Sequence, residues 1–300
     1  MPAEIPTTPI LGIPVARLTL DEARDEVGRL LDGPGPALVC YVNAHSANVA
    51  AAEPEYRRVL QSADLVLNDG SGVALAARLA GAPFPANLNG TDFTPDVLRL
   101  STNRGLSVFF LGGPEDLGGR AAASLESRIP GLRFAGSLPG FFPASDGPAV
   151  AEEIKRSGAD VLVVGMGNPR QELWLARHLP ATGVRLGIAV GAFLDFASER
   201  VPRAPAWMRT AGIEWIFRLS REPRRLFRRY VLGNPLFLLR VLRDRLATRR
   251  GHPNAPGQPR AASRPRSEHG GSRGSTAQPL EPELDRQPRP PLGACGREDI

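Results

Sequence analysis

The chain has 300 residues, 42% of them hydrophobic, a net charge of +6, and only Cys40 and Cys295 as cysteines. That apolar content suffices for a sizeable core. Two cysteines argue against a disulfide framework, and no run reaches the roughly 18 apolar residues of a membrane span. The charge is uneven: residues 1–199 hold 16 Lys/Arg against 22 Asp/Glu, residues 200–250 hold 14 Arg against three acids, and 251–300 are nearly neutral. Basicity is therefore one local module, and a sharp local field implies a local anionic partner.

The first residues, MPAEIPTTPILGIPVARL, lack a basic start and a long apolar stretch, so they do not read as a signal peptide. Apolar runs then recur at Ala37–Val42, Asp64–Leu67, Leu106–Leu111, Asp160–Val164 and Arg185–Val190, each ending in Asn, Asp or Gly. Continuous apolar strands of four to six residues suit a sheet covered on both faces, hence mostly parallel. Helical patterns fall between them over 45–62 (with a break at Pro54), 71–80, 91–102, 115–128, 147–157 and 170–178. Strand alternating with helix predicts an α/β class: a Rossmann-like, mostly parallel sheet flanked by helices, over residues 1–199. Ligands of such sheets collect at the carboxyl ends of the strands.

Residues 200–248 read as an Arg-rich helical appendage, with six arginines between Arg218 and Arg229. Guanidinium forks match phosphate oxygens two at a time, which makes this segment a candidate phosphate contact. Over 230–246 an apolar face alternates with Arg240, Arg243 and Arg245, as in a helix lying at a lipid interface. A helix docking its leucines on the domain has the same pattern, and the segment by itself leaves both open. Residues 249–300 are Pro-, Arg- and Gly-rich without periodicity and read as a disordered tail.

Asp69 stands at a strand end beside Gly70. It is a candidate general base, or alternatively a cap for the helix that starts near Ser71. The stretch Gly165–Glu172 joins glycines to a helix N-terminus with Pro169 near its start, an arrangement that offers N–H groups to a diphosphate. It lacks both the GK[ST] ending of a P-loop and the third glycine of a dinucleotide fingerprint. Gly112-Gly113 is a weaker turn of the same kind. Asp195 is placed to accept from a ribose or sugar hydroxyl, or to cap a turn. His45, His178, His252 and His269 show no metal-ligand spacing, and no Gly-x-Ser-x-Gly elbow occurs.

Taken in order, the motifs resemble the WecG/TagA/CpsF glycosyltransferase family (family 26). The matching pieces are Val42-Asn43-Ala44-His45, Ala63-Asp64-Leu65 leading to Asp69-Gly70, Asn89-Gly90-Thr91-Asp92, and Phe110-Leu111-Gly112-Gly113. They continue with Gly140-Phe141-Phe142, Gly165–Glu172, Gly191–Asp195, Arg203-Ala204-Pro205, and Glu214–Leu219 before Glu222-Pro223. The resemblance spans residues 10–245. It implies an enzyme of cell-surface polysaccharide synthesis, transferring a hexose-type sugar from a UDP donor to a polyprenyl-diphosphate-linked saccharide. The implied transfer inverts the anomeric centre and uses neither metal nor cofactor. The donor sugar class spans N-acetylmannosamine, its uronic acid, glucose and glucuronic acid.

The same resemblance makes Asp69 the base, places Gln171 in the site, and assigns Arg218, Arg225 and Arg228 of the appendage to the diphosphate. Candidate substrate contacts at the motif positions are Asn43, Gly70, Asn89, Thr91, Asp92, Gly112, Gly113, Gly165, Gly167, Pro169, Glu172, Asp195 and Arg203. The appendage is further implied to attach a cytoplasmic enzyme to the anionic inner face of the cell membrane; whether the chain forms oligomers is left open. Many family members carry Thr-x-Asn after the first strand, where this chain has Tyr41-Val42-Asn43.

Three rivals are weaker on the residues. A nucleic-acid binder explains the basic module but not the acidic first 199 residues. An NAD-dependent oxidoreductase needs the missing glycine fingerprint. A non-catalytic membrane scaffold leaves Asp69 and Gln171 without a role.

Overall fold

The computed structural model describes residues 5–249; the expected tail lies outside the described residues, as does the Arg225 side chain. A hairpin comes first: β1 (Thr7–Ile10) and β2 (Ile13–Ala16) pair antiparallel. The turn residues Leu11 and Gly12 both take positive φ, the geometry of a two-residue hairpin loop. Helix α1 (Leu20–Asp32) follows, started by a reciprocal cap in which Thr19 accepts from the Glu22 amide and the Glu22 carboxylate accepts from the Thr19 amide. Neither the hairpin nor α1 was among the predicted elements, although the Thr-x-x-Glu signal stands in the sequence.

The predicted strands are present as β3 (Ala37–Val42), β4 (Leu65–Asn68), β5 (Ser107–Gly112), β7 (Val161–Gly165) and β8 (Leu186–Ala189). One more, β6 (Arg133–Leu138), lies at the sheet edge. Its residues are exposed or half-buried, so the continuous apolar run that marks a central strand is missing. The six strands are parallel in the order β4-β3-β8-β7-β5-β6.

Alternation along each strand builds two apolar layers. Val39, Leu67, Phe110, Val163 and Ile188 face one layer with α1, α5 (Gly90–Asn103), α6 (Leu117–Glu126) and α9 (Phe193–Ala197). Cys40, Val66, Leu111, Leu162 and Ala189 face the other. There they meet α2 (Ala44–Ala52), α3 (Pro54–Ser62), α4 (Ser71–Leu79), α7 (Gly147–Ser157) and α8 (Arg170–Thr182). The predicted break at Pro54 separates α2 from α3, as expected for proline at a helix start.

The appendage continues as α10 (Ala206–Thr210), α11 (Glu214–Arg221), α12 (Pro223–Phe227) and α13 (Gly233–Arg249), with a π-helical turn over Arg228–Leu232. Helix α13 docks on the second layer through Phe237, fully buried, and Val241 one turn on. Polar bonds fix it there: Asn48 donates to the Gly233 carbonyl at 2.7 Å, and Arg240 donates to the Asn48 carbonyl and side chain at 2.9 and 2.8 Å. The opposite side of this segment leaves Leu232, Leu236, Leu239, Leu242 and Leu246 exposed. The segment thus docks on the domain through Phe237 and Val241, while these leucines stay on its exposed side. Phe237→Ala should lower stability by about 3–5 kcal/mol and loosen α13 first, a change that denaturant unfolding and amide exchange of residues 233–245 would register.

Candidate active site

A cleft of about 140 Å³ opens at the carboxyl ends of β3 and β4 and is roofed by the appendage. Its floor is Asn43, Asp69 and Gly70; its roof carries Arg209, Glu214, Trp215, Arg218, Arg229 and Tyr230. A larger depression of about 610 Å³ lies between α1 and α5, but its arginines are committed to neighbouring carboxylates, Arg24 to Asp96 and Arg104 to Asp32.

Local backbone demands orient the floor. Asn43 caps α2, its Oδ1 accepting from the amides of His45 and Ser46 at 3.0 Å each. With the oxygen engaged, the Nδ2 group turns outward and donates to Asp69 Oδ2 at 3.0 Å. The Asp69 amide donates to the Val42 carbonyl at 2.8 Å, which ties the ends of β3 and β4 together. The cap alternative for Asp69 is not realised: Gly70 occupies the cap position of α4, with no side-chain bond to the helix. Its φ of +87° is a conformation that glycine reaches without strain. Among the described residues the half-buried carboxylate is held by the one neutral donor Asn43, and it lines the cleft.

Opposite it, the roof brings three guanidiniums and one carboxylate together. Burial raises the Glu214 pKa, opposed by the charges of Arg203 and Arg218. His45 is pushed down to about 4 by burial and by Arg229, so its imidazole is neutral at neutral pH. Trp215 and Tyr230 pack with ring centroids 6.0 Å apart and close one side.

Most of the remaining sequence candidates lie outside this cleft. Asn89, Asp92 and Arg203 bond to each other: Arg203 Nη1 donates to Asp92 Oδ1 at 2.7 Å and Asn89 Nδ2 to Asp92 Oδ2 at 2.8 Å. Arg209 adds a longer contact at 3.7 Å. Burial raises the Asp92 pKa, but its bonds to Arg203 and Asn89 outweigh this and hold it below the usual carboxylate value. This cluster fastens the appendage to the N-terminus of α5, where Thr91 sits half-buried.

Gly112 and Gly165 end β5 and β7, Gly113, Gly167 and Pro169 follow them, and none of the five lines the 140 Å³ cleft. A Cβ on Gly112 would stand 2.4 Å from the Gly165 carbonyl oxygen, so only glycine lets these loops touch backbone to backbone. Gln171, fully buried, accepts through Oε1 from the amides of Gly167 and Gly191 at 3.1 Å each and so joins the loops after β7 and β8. Asp195, on α9, has Arg200 Nη1 at 3.6 Å.

Among the predicted arginines, Arg218 lines the cleft and Arg228 is exposed outside it. The π turn over Arg228–Leu232 inserts extra residues into the helical repeat and brings Arg229 to the roof instead. His45, Asn87, Arg209, Glu214, Trp215, Arg229 and Tyr230 are cleft residues that the sequence reading did not name as site residues. Glu214 and Trp215 stood inside a quoted motif; nothing local distinguishes Asn87 or Arg209. Tyr41 is buried in the first apolar layer, its ring 3.3 Å from where a Cβ on Gly90 would stand.

Glu172 lies wholly inside the protein. Its Oε1 accepts from Gln171 Nε2 at 2.9 Å and from Asn168 Nδ2, and its Oε2 has no hydrogen-bond partner among the described residues. Burial is the largest influence and pushes its pKa up to about 7, against those bonds. A folded-state pKa above the ordinary 4.5 means that Glu172 weakens the fold progressively as pH rises from about 4.5 to about 7. Glu172→Gln should flatten that slope, so urea midpoints of the variant and the parent should diverge toward neutral pH.

A family model described as "Glycosyl transferase WecG/TagA/CpsF family" matches residues 8–251. The chain is 30% identical over 210 residues to the N-acetylglucosaminyldiphosphoundecaprenol N-acetyl-beta-D-mannosaminyltransferase of Bacillus subtilis (strain 168), covering 69% of this chain and 80% of that protein. The protein of the same name from Bacillus spizizenii is 30% identical over 224 residues, 74% of this chain and 85% of its own. That of Staphylococcus aureus (strain MRSA252) is 27% identical over 199 residues, 66% and 77% of the two chains. The ordered motifs, the parallel sheet and the match over residues 8–251 agree: the chain belongs to the WecG/TagA/CpsF family and is a glycosyltransferase.

Proposed function

We propose that the cleft transfers a hexose-type sugar from a UDP donor to a polyprenyl-diphosphate-linked saccharide, with inversion and with Asp69 as the base. The observation that carries this reading is a carboxylate, oriented by Asn43 at the carboxyl edge of a parallel sheet, facing a roof of arginines. The acceptor class follows the relatives, whose names specify an N-acetylmannosaminyl transfer involving N-acetylglucosaminyldiphosphoundecaprenol.

In the proposed step Asp69 takes the proton of the acceptor hydroxyl as its oxygen attacks the anomeric carbon. The bond from that carbon to the diphosphate oxygen breaks on the opposite face, which inverts the centre. Negative charge gathers on the departing diphosphate, where preorganised cations are most effective. Arg218 is the proposed partner already in the cleft, with Arg225 and Arg228 drawn from the same segment. In this metal-independent reading the arginines stabilise the leaving group. The glycine loops after β5 and β7, with Gln171 and Glu172 behind them, form the adjoining floor for the nucleotide, and Asp195 offers an acceptor to it.

Ligand pockets typically measure roughly 300–1,000 Å³, so a cleft of about 140 Å³ has to widen before a nucleotide sugar enters. No described helix is long and apolar enough to cross a membrane. The exposed leucines of α13, with Arg243 and Arg245 between them, supply a surface for peripheral attachment to the anionic inner leaflet, which would bring the cleft to a lipid-linked acceptor.

Asp69→Asn should reduce turnover by about 10²–10⁴-fold while UDP binding, read by calorimetry, stays near that of the parent; full turnover in this variant would dismiss Asp69 as base. Leu239→Glu with Leu242→Glu should abolish sedimentation with vesicles containing phosphatidylglycerol, leaving transfer to a water-soluble short-chain acceptor intact. Undiminished sedimentation would remove α13 as the attachment surface.

A further inference from the structure

Phe196 has unusual surroundings for a buried aromatic. It lies on α9 and is 7% exposed, yet among the described residues it belongs to neither apolar layer of the core. Its neighbours are cationic: Arg218 Cζ is 5.3 Å from the ring centroid and Arg203 Cζ is 5.9 Å from it. Arg203 is neutralised by Asp92 at 2.7 Å, while its Nε and Nη2 are shielded and make no hydrogen bond among the described residues. Arg218 differs. Among the described residues it has the ring contact but no carboxylate within ion-pair distance, and it lines the cleft.

We propose that Phe196 is a positioning residue for Arg218. The ring quadrupole attracts the guanidinium and fixes its direction. A carboxylate in the same place would also hold the group, but would cancel the charge that a phosphate needs and occupy its N–H fork. An aromatic post leaves both available. Arg203, clamped between Asp92 and the same ring, backs the assembly and sets the position of the post relative to α5. The inference rests on the reading of Arg218 as a phosphate contact and adds the means by which that contact is preorganised.

The test measures UDP binding to the full chain by titration calorimetry in two backgrounds, parent and Arg218→Gln. Progressive fluorination of the Phe196 ring (mono-, di- and trifluorophenylalanine) drains the quadrupole while nearly preserving shape, so folding is not the variable. Affinity should fall stepwise, reaching roughly 2- to 30-fold at full fluorination, and Phe196→Tyr should bind like the parent. In the Arg218→Gln background fluorination should change nothing further. Parent-like UDP affinity in Arg218→Gln would overturn the phosphate role of Arg218 itself. A clear loss in Arg218→Gln with no response to fluorination, or with the same response in both backgrounds, would overturn the positioning role of Phe196 alone.

Discussion

The carboxylate proposed as base and the arginines proposed to meet the diphosphate line one half-buried cleft, where they have to avoid collapsing into ion pairs with each other. Oppositely charged groups a few ångströms apart in a partly desolvated space attract strongly; once locked together, the carboxylate is a poorer proton acceptor and the guanidinium is less free to meet a phosphate. For Asp69 and Arg218 the restraint seen among the described residues is a neutral group. Asp69 is held by the Asn43 amide, and Arg218 by the Phe196 ring. The ion pairs that do form, Asp92 with Arg203 and Arg209, lie where the appendage is fastened to the core.

Those neutral restraints depend in turn on the fold beneath them. The Asn43 amide points at Asp69 only because its oxygen is engaged by the first turn of α2, itself seated on β3. The two strand ends stay in register through the Asp69 amide on the Val42 carbonyl. Above them the appendage is placed by burial of Phe237 and Val241, so a contact more than 160 residues away in sequence sets the height of the roof. Sequence-local caps aim the carboxylate; long-range apolar burial brings the cations to it. Gln171 and Glu172 add a buried polar tie behind the glycine loops, one that leaves an ionisable group where water does not reach.

Much of this frame was legible in the residues. Runs such as Ala37–Val42 and Val161–Val164 have only one comfortable environment, a strand covered on both faces, and Pro54 marks its own helix start. The ordered motifs led to the family, with Asp69, Asn43 and Arg218 among the residues that line the cleft. The edge strand β6 was not legible, because a half-exposed strand carries no continuous apolar run. Nor were the roles of Asn89, Asp92 and Arg203 in fastening the appendage, since charged residues near a motif look alike whether they meet a ligand or each other.

What the sequence by itself determined was the class of fold, the strand ends where a site forms, and the concentration of cations in one segment. These follow from periodicity and composition, which act over a few residues. Only the tertiary structure decided which arginines line the cleft. A single π turn shifts helix phase and brings Arg229 inward while Arg228 stays out, and Arg209 enters through its contact with Asp92. The physical reason is that direction in space depends on accumulated helix rotation and on distant packing, and neither quantity is written in the neighbourhood of the residue it positions.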